Sequence, residues 1–443
     1  MTKIIKRKIY LNKIKKYYKK PLIKVITWMR RTWKSYFLKS VFNDLIEKNI
    51  YSKKEIFYIN KELLKFDFIS DYKILNEYFL DWINQNWTKN NFLVAIDEIQ
   101  LIKWWEKFIN SILSEYQTNT DIFITWSNSN LLSSELSTYI SWRYIEFHIY
   151  PLNFSEFLYF NSFNQKKEDW ETDIKKWKNN ILNAWEVKTL IDLAFIKNNK
   201  ENTKKAFQNF LKYWWLPWIF NLDWEEEVIY DYLNWVYNTI FLKDILSFNK
   251  IKNSVFFEKL YQYLFKNIWT LFSAKKIKDY TQFQNLTASV DTIINYINLW
   301  LKTYLIHEIN RFDIKWKKVF QINNKYYIWD IWIRNALVWF SFKYDIWNIL
   351  ENIVYLELKT RWYKVKIWTL QNKEIDFVAE KNWKIRYYQV CYILSSEKVK
   401  KREFWNLLSI NDNRDKYVLS MDEIFETKND WIIHKNIIDW LLE

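Results

Sequence analysis

Residues 25–40 read VITWMRRTWKSYFLKS: a β-rich apolar run, a short polar stretch, then apolar residues at helical spacing. Trp28, four residues, Trp33, Lys34 and Ser35 reproduce the spacing and the Lys-Ser ending of the phosphate-binding pattern G-x-x-x-x-G-K-[ST], with tryptophan at both glycine positions. A nucleoside triphosphate needs backbone N–H groups curled around its β-phosphate, a cation on the β/γ oxygens and a hydroxyl on Mg²⁺. Glycine at 28 and 33 would provide such a loop, enclosing Arg30, Arg31 and Thr32, with Lys34 as the cation and Ser35 as the metal ligand. Indoles fail there. A bulky residue in the left-handed region costs about 1–2 kcal/mol, and the ring fills space the phosphates need.

Composition bears on this conflict. The chain has 29 tryptophans and no glycine, where an average chain of this length holds roughly 30 glycines. Other tryptophans stand where glycine makes better physical sense: DIFITWSNSN at a strand end, YWWLPWIF around Pro217, TRWYKVKIW between apolar runs and AEKNWKIRYY at a hairpin turn. The reading that fits is a gene that uses UGA for glycine, translated here as though UGA meant tryptophan. The alternative is a truly tryptophan-rich fold with no residue free to take positive φ cheaply. Not every tryptophan is suspect. Trp104 reads as a turn glycine, whereas Trp105 suits the apolar face of the next helix and Trp440 in IIDWLLE reads as core.

At 443 residues the chain has room for two to four domains. The net charge of +16 points either to a polyanionic partner or, in part, to mutational bias, since Lys, Asn, Ile, Tyr and Phe are all abundant as A/T-rich codons would produce. The first 24 residues hold ten Lys or Arg and no acid, but no apolar stretch follows, so a secretory signal is not expected. No uncharged apolar run approaches membrane-spanning length. The single cysteine, Cys391, excludes an internal disulfide framework, and three dispersed histidines leave no thiolate/imidazole zinc site. A cytoplasmic chain is expected.

Strand and helix signals alternate over residues 1–160: LIKVIT, EIFYIN, NFLVAIDEIQ and DIFIT as strands, with KSYFLKSVFNDLIEKN as the first helix. Such alternation implies an α/β domain with a parallel sheet and right-handed crossovers. Residues 161–250 are polar, lysine-rich and helical, as in a lid. Residues 251–315 read as a winged-helix-like segment, with SAKKIKDYTQF and SVDTIINYINLWLKTYLI as its helical pair. Residues 316–443 return to mixed α/β.

The rest of the first site follows from charge. Asp97 and Glu98 end the apolar run FLVAI. A carboxylate at a strand end can hold the Mg²⁺ water shell, and its neighbour can polarise the attacking water. Asp97 is therefore the metal-side acid and Glu98 the catalytic base. After the next strand, Ser127 or Asn128 either senses the γ-phosphate or caps a turn. Arg143 in ISWRY is a candidate for stabilising transferred phosphate, within its own subunit or across subunits.

With glycine for most tryptophans, VITWMRRTWKSYFLKS, FLVAIDEIQLIKWWEKFINSIL and ITWSNSNLLSSELSTYISWRYIEFHIYPLNFSEF resemble the prokaryotic AAA-type ATPases that carry a C-terminal domain of uncharacterised function. The likeness runs almost end to end. It implies an ATP- and Mg²⁺-dependent P-loop domain, a winged-helix-like segment and a restriction-endonuclease-like tail. Such a tail needs a helix acid, an Asp on a strand and an (E/Q)-x-K triplet on the next strand. Here Glu351 and Asp376 fill the first two places, or serve only as a polar pair holding helix to sheet. The triplet reads Gln389-Val390-Cys391. Cysteine in place of lysine implies a degenerate site without metal-dependent cleavage. Three function classes follow: an ATPase coupled to a DNA-binding or scaffold tail, favoured weakly by Lys275, Lys276 and Lys278; an ATPase acting on a protein partner without nucleic-acid binding; and an ATP-regulated nuclease.

Overall fold

The structure, a computed structural model, describes residues 6–27, 34–86, 91–116, 120–126, 143–164, 200–213, 225–239, 251, 253–267, 269, 271–283, 288–309, 311–312, 324–338, 342–370, 373–394, 396–423, 428–429 and 431–443. It divides into two compact units, residues 1–149 with 300–304, and residues 150–299 with 305–443.

The first unit alternates helix and strand: α1 (Lys8–Ile14), β1 (Ile23–Thr27), α2 (Lys34–Glu47), β2 (Ile56–Asn60), α3 (Tyr72–Asn86), β3 (Phe92–Asp97), α4 (Trp105–Glu115), β4 (Thr120–Trp126) and β5 (Tyr144–His148). The sheet order is β2-β3-β4-β1-β5, parallel throughout. All four strands read from the sequence are present, and β5 completes the edge. Every residue of β1, β3 and β4 is buried, as strands covered on both faces require. In α4 the residues at helical spacing, Trp105, Phe108, Ile109, Ile112 and Leu113, enter the core with β3 and β4. At the amino-terminal edge the buried pair Lys24–Asp121 ties β1 to β4.

The second unit begins with α5 (Phe154–Asn164), α6 (Lys200–Tyr213), α7 (Glu226–Thr239) and α8 (Ser254–Asn267). Then come β6 (Leu271–Phe272), α9 (Ala274–Phe283), α10 (Val290–Lys302), whose last residues count with the first unit, β7 (Ile306–Ile309), β8 (Arg311–Phe312) and β9 (Asn324–Ile328). Strands β6, β9 and β7 form an antiparallel three-stranded sheet. The boundary expected at 315/316 cuts this sheet, because β9 pairs back to strands on the other side of it. The first compact unit likewise ends at residue 149 rather than 160.

The remainder comprises α11 (Ile331–Leu337), α12 (Phe342–Thr360), β10 (Lys364–Leu370), β11 (Lys373–Lys381), β12 (Lys384–Val390), α13 (Glu397–Leu408), β13 (Asp415–Ser420), β14 (Lys428–Asn429), β15 (Ile432–Asn436) and α14 (Ile437–Leu442). Its seven-stranded mixed sheet has the order β14-β15-β13-β12-β11-β10-β8. The β10-β11-β12 ribbon is antiparallel, whereas β12, β13 and β15 run parallel.

Backbone geometry separates two kinds of tryptophan. Trp104, Trp269, Trp362, Trp383 and Trp431 have positive φ, between 53° and 78°, a region in which a bulky residue is an outlier and glycine is at ease. Trp104, Trp362 and Trp383 lie in stretches that read as turns. Trp383 is 94% exposed and Trp431 80%, so neither indole is compensated by burial. Trp105 and Trp440 behave differently: the first is in the core, and the second is buried with its ring 5.7 Å from that of Tyr388.

Candidate functional site

The carboxyl ends of β1, β3 and β4 meet in the first unit. Strand β4 lies between β1 and β3, with Thr27 opposite Trp126 and Ile96 opposite Ile124. Thr125 therefore reaches sideways to β3. Its hydroxyl donates to Asp97 Oδ1 and accepts from the Glu98 backbone N–H at 2.9 Å. Glu98 itself turns out of the strand with φ 58° and ψ 51°, a left-handed conformation that costs a non-glycine residue about 1–2 kcal/mol. Strain of this kind clusters at functional sites.

Lys34, the first residue of α2, forms a buried ion pair with Glu98. Gln100 donates its amide to the other Glu98 oxygen. Asp97 is wholly buried. Burial raises its pKa above the ordinary carboxylate value, while hydrogen bonds from Ser35 and Thr125 and the charge of Lys34 pull the other way. A buried carboxylate held partly against its charge, with a serine hydroxyl bonded to it, fits a divalent cation. Ser35 and Asp97 would hold Mg²⁺, which would supply positive charge to phosphate oxygens.

Lys34, Ser35, Asp97 and Glu98 are thus brought together. Trp28, Arg30, Arg31, Thr32, Trp33, Ser127 and Asn128 lie outside the described residues. Arg143 is elsewhere. Its carbonyl accepts from Ile23 N at 2.8 Å, at the start of β1, whereas the site lies beyond Thr27, about 13 Å further along the strand. The fold places it at the opposite sheet edge from Lys34 in its own subunit.

Sequence reasoning missed a second polar group on β1. The Thr27 hydroxyl donates to Glu146 Oε1 at 3.1 Å and lies 2.7 Å from His148 Nδ1. Tyr304 packs its ring 6.0 Å from His148. Burial raises the Tyr304 pKa, Glu146 adds to the shift, and a hydrogen bond with Thr27 opposes it. The available signal was the alternation in YIEFH, which places Glu146 and His148 on one face of β5. Thr125 was legible too, as the hydroxyl closing an apolar strand.

The carboxylates of the second unit also converge, but around a lysine. Lys325 Nζ lies 2.6 Å from Glu351 and 3.0 Å from Glu374, and Tyr327 donates its hydroxyl to Glu351. Asp376 accepts from Val390 N at 2.8 Å. Its pKa is raised well above the ordinary value, first by burial and next by the negative charge of Glu351. Gln389 is buried on β12, and its Oε1 has no hydrogen-bond partner among the described residues. Cys391 is buried among Phe404, Leu407 and other apolar side chains, and burial pushes its thiol far up. An ammonium already stands among the acids, so Glu351, Asp376 and Gln389 do not fit a divalent metal as they are. Among the described residues, no three His, Cys, Asp or Glu side chains converge to hold one.

Residues 20–158 match a family described as AAA domain, and residues 215–343 match Domain of unknown function (DUF8612). A Haemophilus influenzae protein, described only as uncharacterized, is 30% identical over 441 residues, covering 99% of each chain. The chain belongs to the family of this Haemophilus protein. An uncharacterized protein of Methanocaldococcus jannaschii shares 30% identity over 393 residues, 86% of this chain and 77% of its own. Among solved structures, the Aeropyrum pernix ORC2 protein, in ADPNP and ADP complexes, aligns over 79% of this chain and 91% of its own, with 9% identity and a TM-score of 0.36. Thermotoga maritima RuvB aligns over 68% and 86%, with 11% identity and a TM-score of 0.30. In the family's terms, the site at Lys34, Asp97 and Glu98 lies in the AAA domain. The domain of unknown function includes the three-stranded sheet and Lys325. Among the described residues, no helix is long and apolar enough to cross a membrane.

Proposed function

We propose that the AAA domain binds ATP with Mg²⁺ and hydrolyses it. The observation that carries this is the meeting of Lys34, Ser35, Asp97 and Glu98 at the carboxyl ends of parallel strands. Lys34 is the phosphate cation, Ser35 and Asp97 are the metal ligands, and Glu98 is the base that polarises water. In the structure Lys34 is paired with Glu98. A triphosphate would draw the ammonium to itself and leave Glu98 facing the attacking water. Nucleotide binding and phosphate release test this in three proteins: Lys34→Ala abolishes binding, and Glu98→Gln keeps binding but slows turnover. Equal activity in all three would remove these residues from the mechanism. Arg143, exposed at the far edge, is left a role only toward a neighbouring subunit.

The phosphate loop requires glycine at 28 and 33, and the proposal includes it: the gene uses UGA for glycine at most tryptophan positions. Support comes from the tryptophans held at positive φ, of which Trp383 and Trp431 are mostly exposed. Codons TGG at 28 and 33, or tryptophan there by peptide mass spectrometry of the natively produced protein, would refute it.

Nucleotide occupancy is read out, in this proposal, by the region after residue 250. Helices α8, α9 and α10 with the β6-β9-β7 sheet support a winged-helix-like unit, and Lys275 and Lys276 on α9 are exposed while Ile277 between them and Lys278 is buried. The mixed sheet with α12 and α13 supports a restriction-endonuclease-like tail that binds DNA or acts as a scaffold without cutting. Salt-dependent duplex binding that changes with ATP tests the coupling. A protein-partner ATPase is the second reading, favoured by Leu64 and Phe68, 91% and 53% exposed after β2.

A further inference from the structure

Strand β5 brings two ionisable side chains to the residue that ends β1. Glu146 and His148 are two residues apart and so on one face of the strand, and the parallel register sets His148 opposite Thr27. The Thr27 hydroxyl donates to Glu146 Oε1 at 3.1 Å and lies 2.7 Å from His148 Nδ1. The other ring nitrogen, Nε2, lies 3.3 Å from the same Glu146 oxygen. Tyr304, in the stretch after α10 that counts with the first unit, forms a hydrogen bond with Thr27 and packs its ring 6.0 Å from His148. Its backbone has φ 57°, in the left-handed region where strain collects at functional sites.

The three contacts among Thr27, Glu146 and His148 need more hydrogens than a neutral histidine supplies. A threonine hydroxyl has one hydrogen, and an ionised carboxylate has none. With the Thr27 hydrogen directed to Glu146, His148 Nδ1 must donate to the Thr27 oxygen and Nε2 to Glu146. A neutral imidazole has one N–H, so either tautomer leaves one contact without a hydrogen; the imidazolium fills all three. Histidine is also the side chain that changes charge between about pH 5 and 8. Thr27 is wholly buried, whereas the side chains of His148 and Glu146 are 36% and 27% exposed, so solvent protons reach the ring. Among the described residues, the titratable groups facing His148 are Glu146 on its own strand and Tyr304, and β1 contributes the Thr27 hydroxyl.

The phosphate-loop pattern spans residues 28–35, so Thr27 stands immediately before it. We propose that His148 and Glu146 are positioning residues for ATP binding: with His148 as imidazolium they fix Thr27 at the end of β1, and ATP binds more tightly than when His148 is neutral. The proposal rests on the reading of Lys34 as the phosphate cation. His148 acts through the Thr27 hydroxyl and not as a ligand of the nucleotide. Raising the pH removes one ring hydrogen and with it one of the contacts that hold Thr27.

The test is calorimetric titration of the full glycine-containing chain with ATP·Mg²⁺ from about pH 5 to 8, with the unfolding midpoint measured at each pH. The quantity compared is the affinity of the unsubstituted protein divided by that of His148→Gln, a ratio from which titration of the nucleotide itself cancels. The ratio is expected to fall about tenfold from the acidic to the basic end, the factor that one hydrogen bond of ordinary net strength brings. Measured with and without His148→Gln in a Thr27→Ser background, the dependence should persist; in a Thr27→Val background it should vanish. Two outcomes would overturn the inference. One is a ratio that does not change with pH. The other is a dependence that survives in Thr27→Val, which would make the imidazolium charge, rather than its hold on Thr27, the cause. Should Thr27→Val not fold, the ratio for the unsubstituted protein still decides. Lys34→Ala separates the two readings: binding that it leaves intact sinks the ATP reading and this inference together, whereas binding that it abolishes, with a ratio independent of pH, sinks this inference alone.

Discussion

Removing the ammonium of Lys34 should destabilise the nucleotide-free protein far more than removing any surface lysine. The side chains of Lys34 and Glu98 are only 5% and 3% exposed. Lys34→Met leaves the Glu98 carboxylate buried without the Lys34 ammonium, and breaking such a pair from one side costs about 3–5 kcal/mol. For a unit of this size that is a fall of about 6–20 °C in unfolding midpoint. Replacing both partners, Lys34→Met with Glu98→Leu, removes the stranded charge and should recover at least about 2 kcal/mol of the summed single effects. Lys205→Ala is the control. Its pair with Glu201 is 68% and 76% exposed, and such pairs contribute about 0.5 kcal/mol or less. The assay is calorimetric unfolding with and without ATP·Mg²⁺, which should raise the midpoint of the unsubstituted glycine-containing protein and leave Lys34→Met unmoved. Strictly additive single and double variants, or a Lys34→Met no less stable than Lys205→Ala, would show that the pair is not the buried contact described here.

Asp376 predicts a pH dependence. Its folded pKa is raised above the ordinary 3.8 by burial, so folding takes up a proton there; the stability it contributes is complete below pH 3.8 and is lost as pH rises toward the folded value. Urea unfolding across that range should show a slope approaching about 1.4 kcal/mol per pH unit that Asp376→Asn flattens, and an unchanged slope would refute the assignment. Trp383→Gly should stabilise the chain by about 1 kcal/mol, since glycine takes φ 65° without the side-chain penalty; a lower denaturation midpoint would count against a glycine-shaped turn. Charge reversal at Lys275 and Lys276 should weaken duplex binding uniformly across sequences and reduce the salt slope by about 2. An unaltered slope would move DNA away from α9.

Some features were legible because they are local. Period-two and helical patterns depend on neighbours a few residues apart, so the strands at 22–27, 55–60, 92–97 and 121–125 and the face of α4 could be read directly from the chain. The Lys-Ser ending of the loop and the Asp-Glu pair at a strand end carry their chemistry in residue type and spacing. The turn character of Trp104, Trp362 and Trp383 was also local, because it follows from what stands on either side. Pairing across distant segments was not legible. That β4 lies between β1 and β3, so that Thr125 rather than a loop residue holds Asp97, depends on strand order. That Arg143 emerges at the wrong end of β1 depends on the direction of β5. That Lys325 stands among the acids of α12 and β11 depends on how β9 packs beside them, and that β9 pairs with β6 and β7 crosses the boundary expected at 315/316. Electrostatic partners are chosen by proximity in a low-dielectric interior, where a charge left alone costs several kcal/mol, and that proximity is set by tertiary packing, not by distance along the chain.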